Sequence, residues 1–139
     1  MKRILLDTSA YAAFRRGHAD LKVVVHEATE FVISPVALGE LRSGFLKGSR
    51  CSENEKQLRE LLASPRCRVV VIDDETAERY AAIHDYLRRH RTPVSPNDLW
   101  IAASAAQHGL CVITLDGDFD RIPQVLVRKF GPPLTGSRA

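Results

Sequence analysis

What most restricts the fold of this chain is a set of short apolar runs that stop at an acid or a hydroxyl. Arg3-Ile4-Leu5-Leu6 runs into Asp7-Thr8-Ser9, and Glu30-Phe31-Val32-Ile33 runs into Ser34. Cys67-Arg68-Val69-Val70-Val71-Ile72 ends at Asp73, and Cys111-Val112-Ile113-Thr114-Leu115 ends at Asp116. A strand with one wet face alternates polar and apolar residues. A run without alternation is what burial on both faces requires, as in a parallel sheet covered by helices. All of these runs are therefore expected to be buried strands, and Val125 to Phe130 is expected as a last strand.

The intervening segments carry helical spacing. Tyr11, Ala12 and Phe14 precede Gly17, a C-terminal stop, and Asp20 to Ala28 is a short second helix. Ser34-Pro35 caps a third, Val36 to Lys47. Glu53 to Ala63 presents Leu58, Leu61 and Leu62 at helical spacing. Asp74 to His90 is the longest, with Asp74 expected as its cap and Tyr80, Ala81, Ile83, Tyr86 and Leu87 on its apolar side. Ser95-Pro96 opens a helix that is apolar nearly all round and reaches Gly109, so it belongs in the core. Strands alternating with helices at these lengths predict an α/β sandwich with a mostly parallel sheet. The 139 residues fit one domain, 1–130, with residues 131–139 as a loose tail after Gly131-Pro132-Pro133.

Composition excludes several classes. No apolar run approaches the length of a transmembrane helix, and the start is too short and too quickly acidic for a secretory signal, so a cytoplasmic location is expected. Three widely spaced cysteines make neither a disulfide framework nor a zinc site. The five histidines lack metal-binding spacing and are expected at the surface or at helix ends. A net charge of +3 permits attraction to a polyanion without demanding it. The basic clusters Arg15-Arg16, Arg66/Arg68, Arg88-Arg89-His90-Arg91 and Arg128-Lys129 read individually as solvated helix ends and strand edges.

The acids carry the functional signal. Residues leaving the carboxyl end of a parallel strand sit where open α/β sheets place their ligands, which offers Asp7 and Asp116 to one crevice. Asp7 also suits the cap of the helix that follows it. Glu40 lies on the flank of the apolar face of its helix, too deep to serve as a cap, and either meets a cleft or reaches out to solvent. Asp98 completes an S-x-x-D capping box with Ser95, in which the carboxylate returns to the cap amide; it can cap and also face a crevice. Asp116 and Asp118 either join the site or form a turn around Gly117. Carboxylates gathered in one cleft repel and hold protons unless a cation is present. Mg²⁺ or Mn²⁺ resolves that conflict, since hard divalent ions take oxygen ligands from a few carboxylates. Phosphodiester hydrolysis is the chemistry such a site supports best.

Taken together, I-L-L-D-T-S, P-V-A-L-G-E-L, P-N-D-L-W-I-A-A and V-I-T-L-D-G-D-F resemble the motifs of PIN-domain ribonucleases, and most of all VapC-type toxins of toxin–antitoxin pairs. The likeness runs from Ile4 to Arg128 with the motifs in the family's order. It implies a three-layer α/β/α sandwich with a small parallel sheet, and a metal-dependent endoribonuclease that acts on RNA. Matched residue by residue, the metal-binding and catalytic acids are Asp7, Glu40, Asp98 and Asp116. Asp118 is a neighbour able to share or replace the role of Asp116. Thr8, Ser9 and Thr114 match hydroxyl positions that order water or a ligating carboxylate, and Asn97 stands beside the third acid. The resemblance further implies a homodimer and a VapB-type antitoxin, whose C-terminal segment lies in a groove formed by the early helices. Phe45, Leu58, Leu61 and Leu62 either line that groove or fill the core.

Other functions compete. A housekeeping nuclease of the same family would share every motif. A non-catalytic module that binds RNA or a partner would show RNA affinity without turnover and no metal stabilisation. A phosphotransfer domain would want two acids near the end of the first strand, or D-x-D there, and Asp7-Thr8-Ser9 supplies neither.

Overall fold

Apolar side chains on both faces of the first strand require cover on both sides, and the computed structural model supplies it. It describes residues 2–133. One five-stranded sheet has the order β3-β2-β1-β4-β5, from β1 (Arg3–Leu6), β2 (Glu30–Ile33), β3 (Cys67–Val69), β4 (Cys111–Thr114) and β5 (Leu126–Lys129). Every pair in it is parallel. Leu5 sits in register with Val32 on one side and Val112 on the other.

Successive residues of a strand point to opposite faces, and the core divides accordingly. Ile4, Leu6, Phe31 and Ile113 pack under α1 (Thr8–Arg15) and α2 (Ala19–Glu27), meeting Ala10, Ala13, Leu21 and Val25. Leu5, Val32 and Val112 face the other layer, built from α3 (Pro35–Lys47), α4 (Cys51–Leu62), α5 (Asp74–His90) and α6 (Pro96–His108). Leu38, Leu58, Leu87, Leu99 and Ile101 fill that side. The result is a three-layer α/β/α sandwich. α6 buries Leu99 and the whole run Ile101 to Ala105, as its unbroken apolar character predicts.

Two expectations are corrected. The third apolar run is an edge strand: pairing covers only Cys67 to Val69, with Val69 41% and Val71 71% exposed. With β2 as its one neighbour, its outer side stays wet. The cap of α5 is Asp73, which accepts the Thr76 amide while the Thr76 hydroxyl accepts the Asp73 amide. Asp74 is one residue inside the helix, and Ala81 is exposed.

The connections place the site. From β1 the chain moves outward to β2 and β3, then crosses back to β4 and β5 on the opposite side of β1. The strand order therefore reverses between β1 and β4, which is where ligands of open α/β sheets bind. α5 and α6 form an antiparallel hairpin: Thr76 and Gln107 bond at one end, while Leu87 and Leu99 share a cavity wall at the other. The expected tail begins with Gly131, whose carbonyl accepts a hydrogen bond from His18 Nε2 at 2.8 Å; residues 134–139 lie outside the described residues.

Candidate metal centre

Asp7 is the first residue past β1 and the N-cap of α1. Its Oδ1 accepts from the Ala10 amide at 2.8 Å and from the Ser9 hydroxyl at 2.7 Å, and its Oδ2 accepts from the Thr114 hydroxyl. It is 3% exposed. Burial lifts its carboxyl above the ordinary range against the pull of those bonds, and the charge of Asp116 adds to the rise. Ser9 Oγ also accepts the Leu115 amide, and Thr114 Oγ1 accepts the Asp116 amide. Two hydroxyls thus tie the end of β1 to the end of β4.

Past β4, Asp116 caps a short 3₁₀ turn, Gly117–Arg121, by accepting the Asp118 amide at 2.9 Å. That turn swings Asp118 back beside Asp116. Asp98 arrives from the first turn of α6. Ser95 Oγ accepts the Asp98 amide at 3.2 Å. Among the described residues no return bond from the Asp98 carboxylate to the cap is found, so the capping box is one-sided and the carboxylate points to the other acids. Asp98, Asp116 and Asp118 each place one oxygen within 4.8 Å of the others. Burial, and then the charges of Asp116, Asp7 and Asp118, push the Asp98 carboxyl up to about 7. Arg121 is the cation sequence reasoning missed. It approaches Asp118 at 3.7 Å and donates to the Pro93 carbonyl at 2.8 Å; as a single basic residue at the end of a D-x-D-x-D-R run it carried no signal of its own.

Glu40 stands apart from this triad. Its Oε1 accepts from the Thr8 hydroxyl and its Oε2 from Asn97 Nδ2 at 2.8 Å. Thr8 follows Asp7 and Asn97 precedes Asp98, so Glu40 clamps the two segments that carry those acids. Of the acids singled out in sequence, Asp98, Asp116 and Asp118 meet directly, Asp7 borders them, and Glu40 joins through two neutral side chains.

The donor set is all oxygen and strongly anionic, the combination hard divalent cations require. Arg121 cannot balance three adjacent carboxylates alone, and burial, with the charge of the neighbouring acids after it, raises the Asp98 carboxyl to about 7.

A family profile for the PIN domain matches residues 4–125. The ribonuclease VapC4 of Mycobacterium tuberculosis is 32% identical over 127 residues, which spans 91% of this chain and 96% of that protein. Ribonuclease VapC5 of the same organism is 32% identical, spanning 83% of this chain and 84% of its own. Among solved structures, the DNA-bound VapBC of Salmonella typhimurium superposes with a TM-score of 0.79 at 26% identity, over 93% of this chain and 98% of that one. Carboxylates gathered at a sheet's switch point and a profile match over nearly the whole sequence lead to one assignment: this chain belongs to the PIN-domain family and has VapC ribonucleases among its relatives.

Proposed function

We propose that the protein is a Mg²⁺- or Mn²⁺-dependent endoribonuclease and the toxin of a VapBC-type pair, acting as a cytoplasmic homodimer. The observation that carries the nuclease reading is the approach of Asp98, Asp116 and Asp118 to within 4.8 Å. Asp98, Asp116 and Asp118 would hold the ion, with Asp7 at their border. When bound, such an ion supplies a water of lowered pKa and stabilises charge on the leaving oxygen of a phosphodiester. The chain's residues do the positioning. Ser9, Thr114 and the Ala10 amide fix the Asp7 carboxylate in one rotamer, so it faces the cluster without reorganisation. Glu40 has both oxygens engaged, and in this reading it holds Thr8 and Asn97 in place instead of ligating.

The toxin reading is supported by the relatives' names and by the VapBC complexes among the similar structures. Phe45, with Tyr11, Leu41, Arg15 and Arg16, borders a groove between α1 and α3, and in this reading the antitoxin segment lies there. Leu58 is fully buried in the core, while Leu61 and Leu62 are half-buried against it, as Phe45 is. Among the described residues no helix is long and apolar enough to cross a membrane.

The test is RNA cleavage with Mn²⁺ or Mg²⁺ against the same reaction in EDTA. Loss of an outer partner of a metal ligand costs about 10–100-fold, so removing a ligand in Asp98→Ala is expected to cost more than about a hundred-fold. A folded Asp98→Ala protein that cleaves at the wild-type rate would remove the assigned site.

A further inference from the structure

A phosphodiester approaching several carboxylates is repelled by them, so affinity for RNA must come from surfaces next to the acids. One such surface lies at the end of the α5–α6 hairpin. A cavity of about 290 Å³ is lined by His84, Leu87, Arg88, Arg91, Val94 and Leu99, with Pro93 at its edge. Two of its lining residues connect it to the acidic cluster. Leu99 follows Asp98 in α6, and Pro93 offers its carbonyl to Arg121, whose guanidinium also approaches Asp118.

Its lining divides in two. Leu87, Val94 and Leu99 make an apolar floor, and Arg88, Arg91 and His84 make a basic rim. Asp85 holds Arg88 at 2.6 Å, with Arg89 also bound to it. Arg91 makes no ion pair among the described residues. It is also the only non-glycine residue among them with positive φ, at 56°. It ends α5 in the left-handed conformation, where the Thr92 amide bonds the Leu87 carbonyl. Glycine is the ordinary choice at that position, and an L side chain there is strained. Backbone strain of this kind is kept where the side chain serves a purpose. Beside the cavity, Tyr80 lies between His84 at 6.0 Å and Trp100 at 4.2 Å, an aromatic surface along the same two helices.

We propose that this cavity is a subsite for one unpaired nucleotide of single-stranded RNA, flanking the bond presented to the acids. The base and ribose lie on Leu87, Val94 and Leu99, and the phosphate meets Arg91 and Arg88. The volume is at the small end of ligand clefts, which suits a single splayed-out nucleotide and excludes a duplex. Splayed bases on apolar or aromatic surfaces, with cations on the backbone, are how proteins take single-stranded RNA. The inference rests on the nuclease reading and adds to it the place where the substrate is gripped.

The experiment uses a fluorescein-labelled, mixed-sequence single-stranded 12-mer oligoribonucleotide carrying 4-thiouridine, in EDTA so that nothing is cut. Anisotropy gives affinity and its salt dependence, and ultraviolet cross-linking with mass spectrometry gives location. Cross-links are expected between His84 and Leu99. Arg91→Gly is expected to weaken binding about five-fold or more and to lower the salt slope by about one. The same change relieves the left-handed strain, so its Tm is expected to rise, a combination that a purely structural Arg91 would not give. Val94→Asp, which sets a negative charge on the cavity wall, is expected to weaken binding at least as much. Wild-type affinity in both variants, or cross-links confined to other segments, would overturn the proposal and leave the cavity to a protein partner. Wild-type protein that binds here yet never cuts RNA with Mn²⁺ sinks the nuclease reading instead, so the two failures are told apart.

Discussion

At Asp7 one carboxylate closes the first turn of α1 through the Ala10 amide and also borders the acidic cluster, so cap and site are a single arrangement. The Thr114 hydroxyl fixes the second oxygen from across the switch point. Sequence alone showed both roles for Asp7 and could not choose between them, because a cap needs only local chain and a site needs the fold. Glu40 was harder to read. Its position on the flank of α3 was visible, but its partners Thr8 and Asn97 lie 32 and 57 residues away, and no helical periodicity encodes such a distance. The arrangement makes Thr8→Val and Asn97→Ala informative. Each frees one oxygen of Glu40 and loosens one strand of the clamp without removing a carboxylate from the cluster. Partners of this kind are worth about 10–100-fold in activity or metal affinity, so each variant is expected to lose activity within that range and to need more Mn²⁺ for half-maximal rate. Titrating Mn²⁺ in a cleavage assay checks both. A loss in Glu40→Gln as complete as that of Asp98→Ala would make Glu40 a ligand after all.

Among the elements, α5 shows where sequence reading slips by one residue and why it matters. Asp73 and Asp74 both stand at the helix start, but only Asp73 has extended backbone and exchanges bonds with Thr76. Its carboxyl is held below the ordinary range by the Thr76 amide and by Gln107. Asp73→Ala is expected to lower the urea midpoint, as loss of an N-cap does. Asp74→Ala, within the first turn, is expected to lower it less, through the helix dipole alone. Urea unfolding of the two variants separates them. The edges of the sheet show the other limit. β3 looked buried because Val69, Val70, Val71 and Ile72 are consecutive, and only strand order reveals that its outer side is unpaired. Charge holds this edge where burial does not: Glu30 on β2 binds Arg3 of β1 and Arg68 of β3, each at 3.0 Å. Hydrogen bonds from Arg68 and Arg3 keep its carboxyl below the usual value of 4.5. A lowered folded-state pKa contributes stability above the unfolded value, which is lost as pH falls through the folded one. Glu30→Gln should therefore cost about 1 kcal/mol at pH 7 and progressively less as pH drops below the ordinary 4.5, which urea midpoints at several pH values will read.

For the whole molecule, the acidic cluster joins the two halves of the sheet. Asp7 ends β1, Asp116 and Asp118 follow β4, and Asp98 comes from the helix packed behind them. Without a cation this junction is a place of repulsion. Because the Asp98 carboxyl is raised from 3.8 to about 7, the metal-free fold keeps a proton that the unfolded chain releases within that window. Its stability therefore falls as pH rises from about 4 to about 7. A cation that binds only the folded state acts in the opposite direction and stabilises it by RT ln(1 + [L]/Kd), about 2.7 kcal/mol at a hundred times Kd. In a domain of this length each kcal/mol shifts Tm by about 4 °C, so saturating Mn²⁺ at pH 8 should raise Tm by about 10 °C. Asp98→Asn removes one charge from the cluster and gives the complementary result. It should melt above the wild type when both are metal-free at pH 8, lose the decline with pH, and respond little to Mn²⁺. This is the pattern of a site that gives up stability for function. An ordinary acidic surface predicts neither half of it, because exposed carboxylates repel too weakly to depress Tm and bind Mn²⁺ too loosely to restore it. If the wild type melts at the same temperature with and without Mn²⁺ across pH 6 to 8, the carboxylates are together for some reason other than holding an ion.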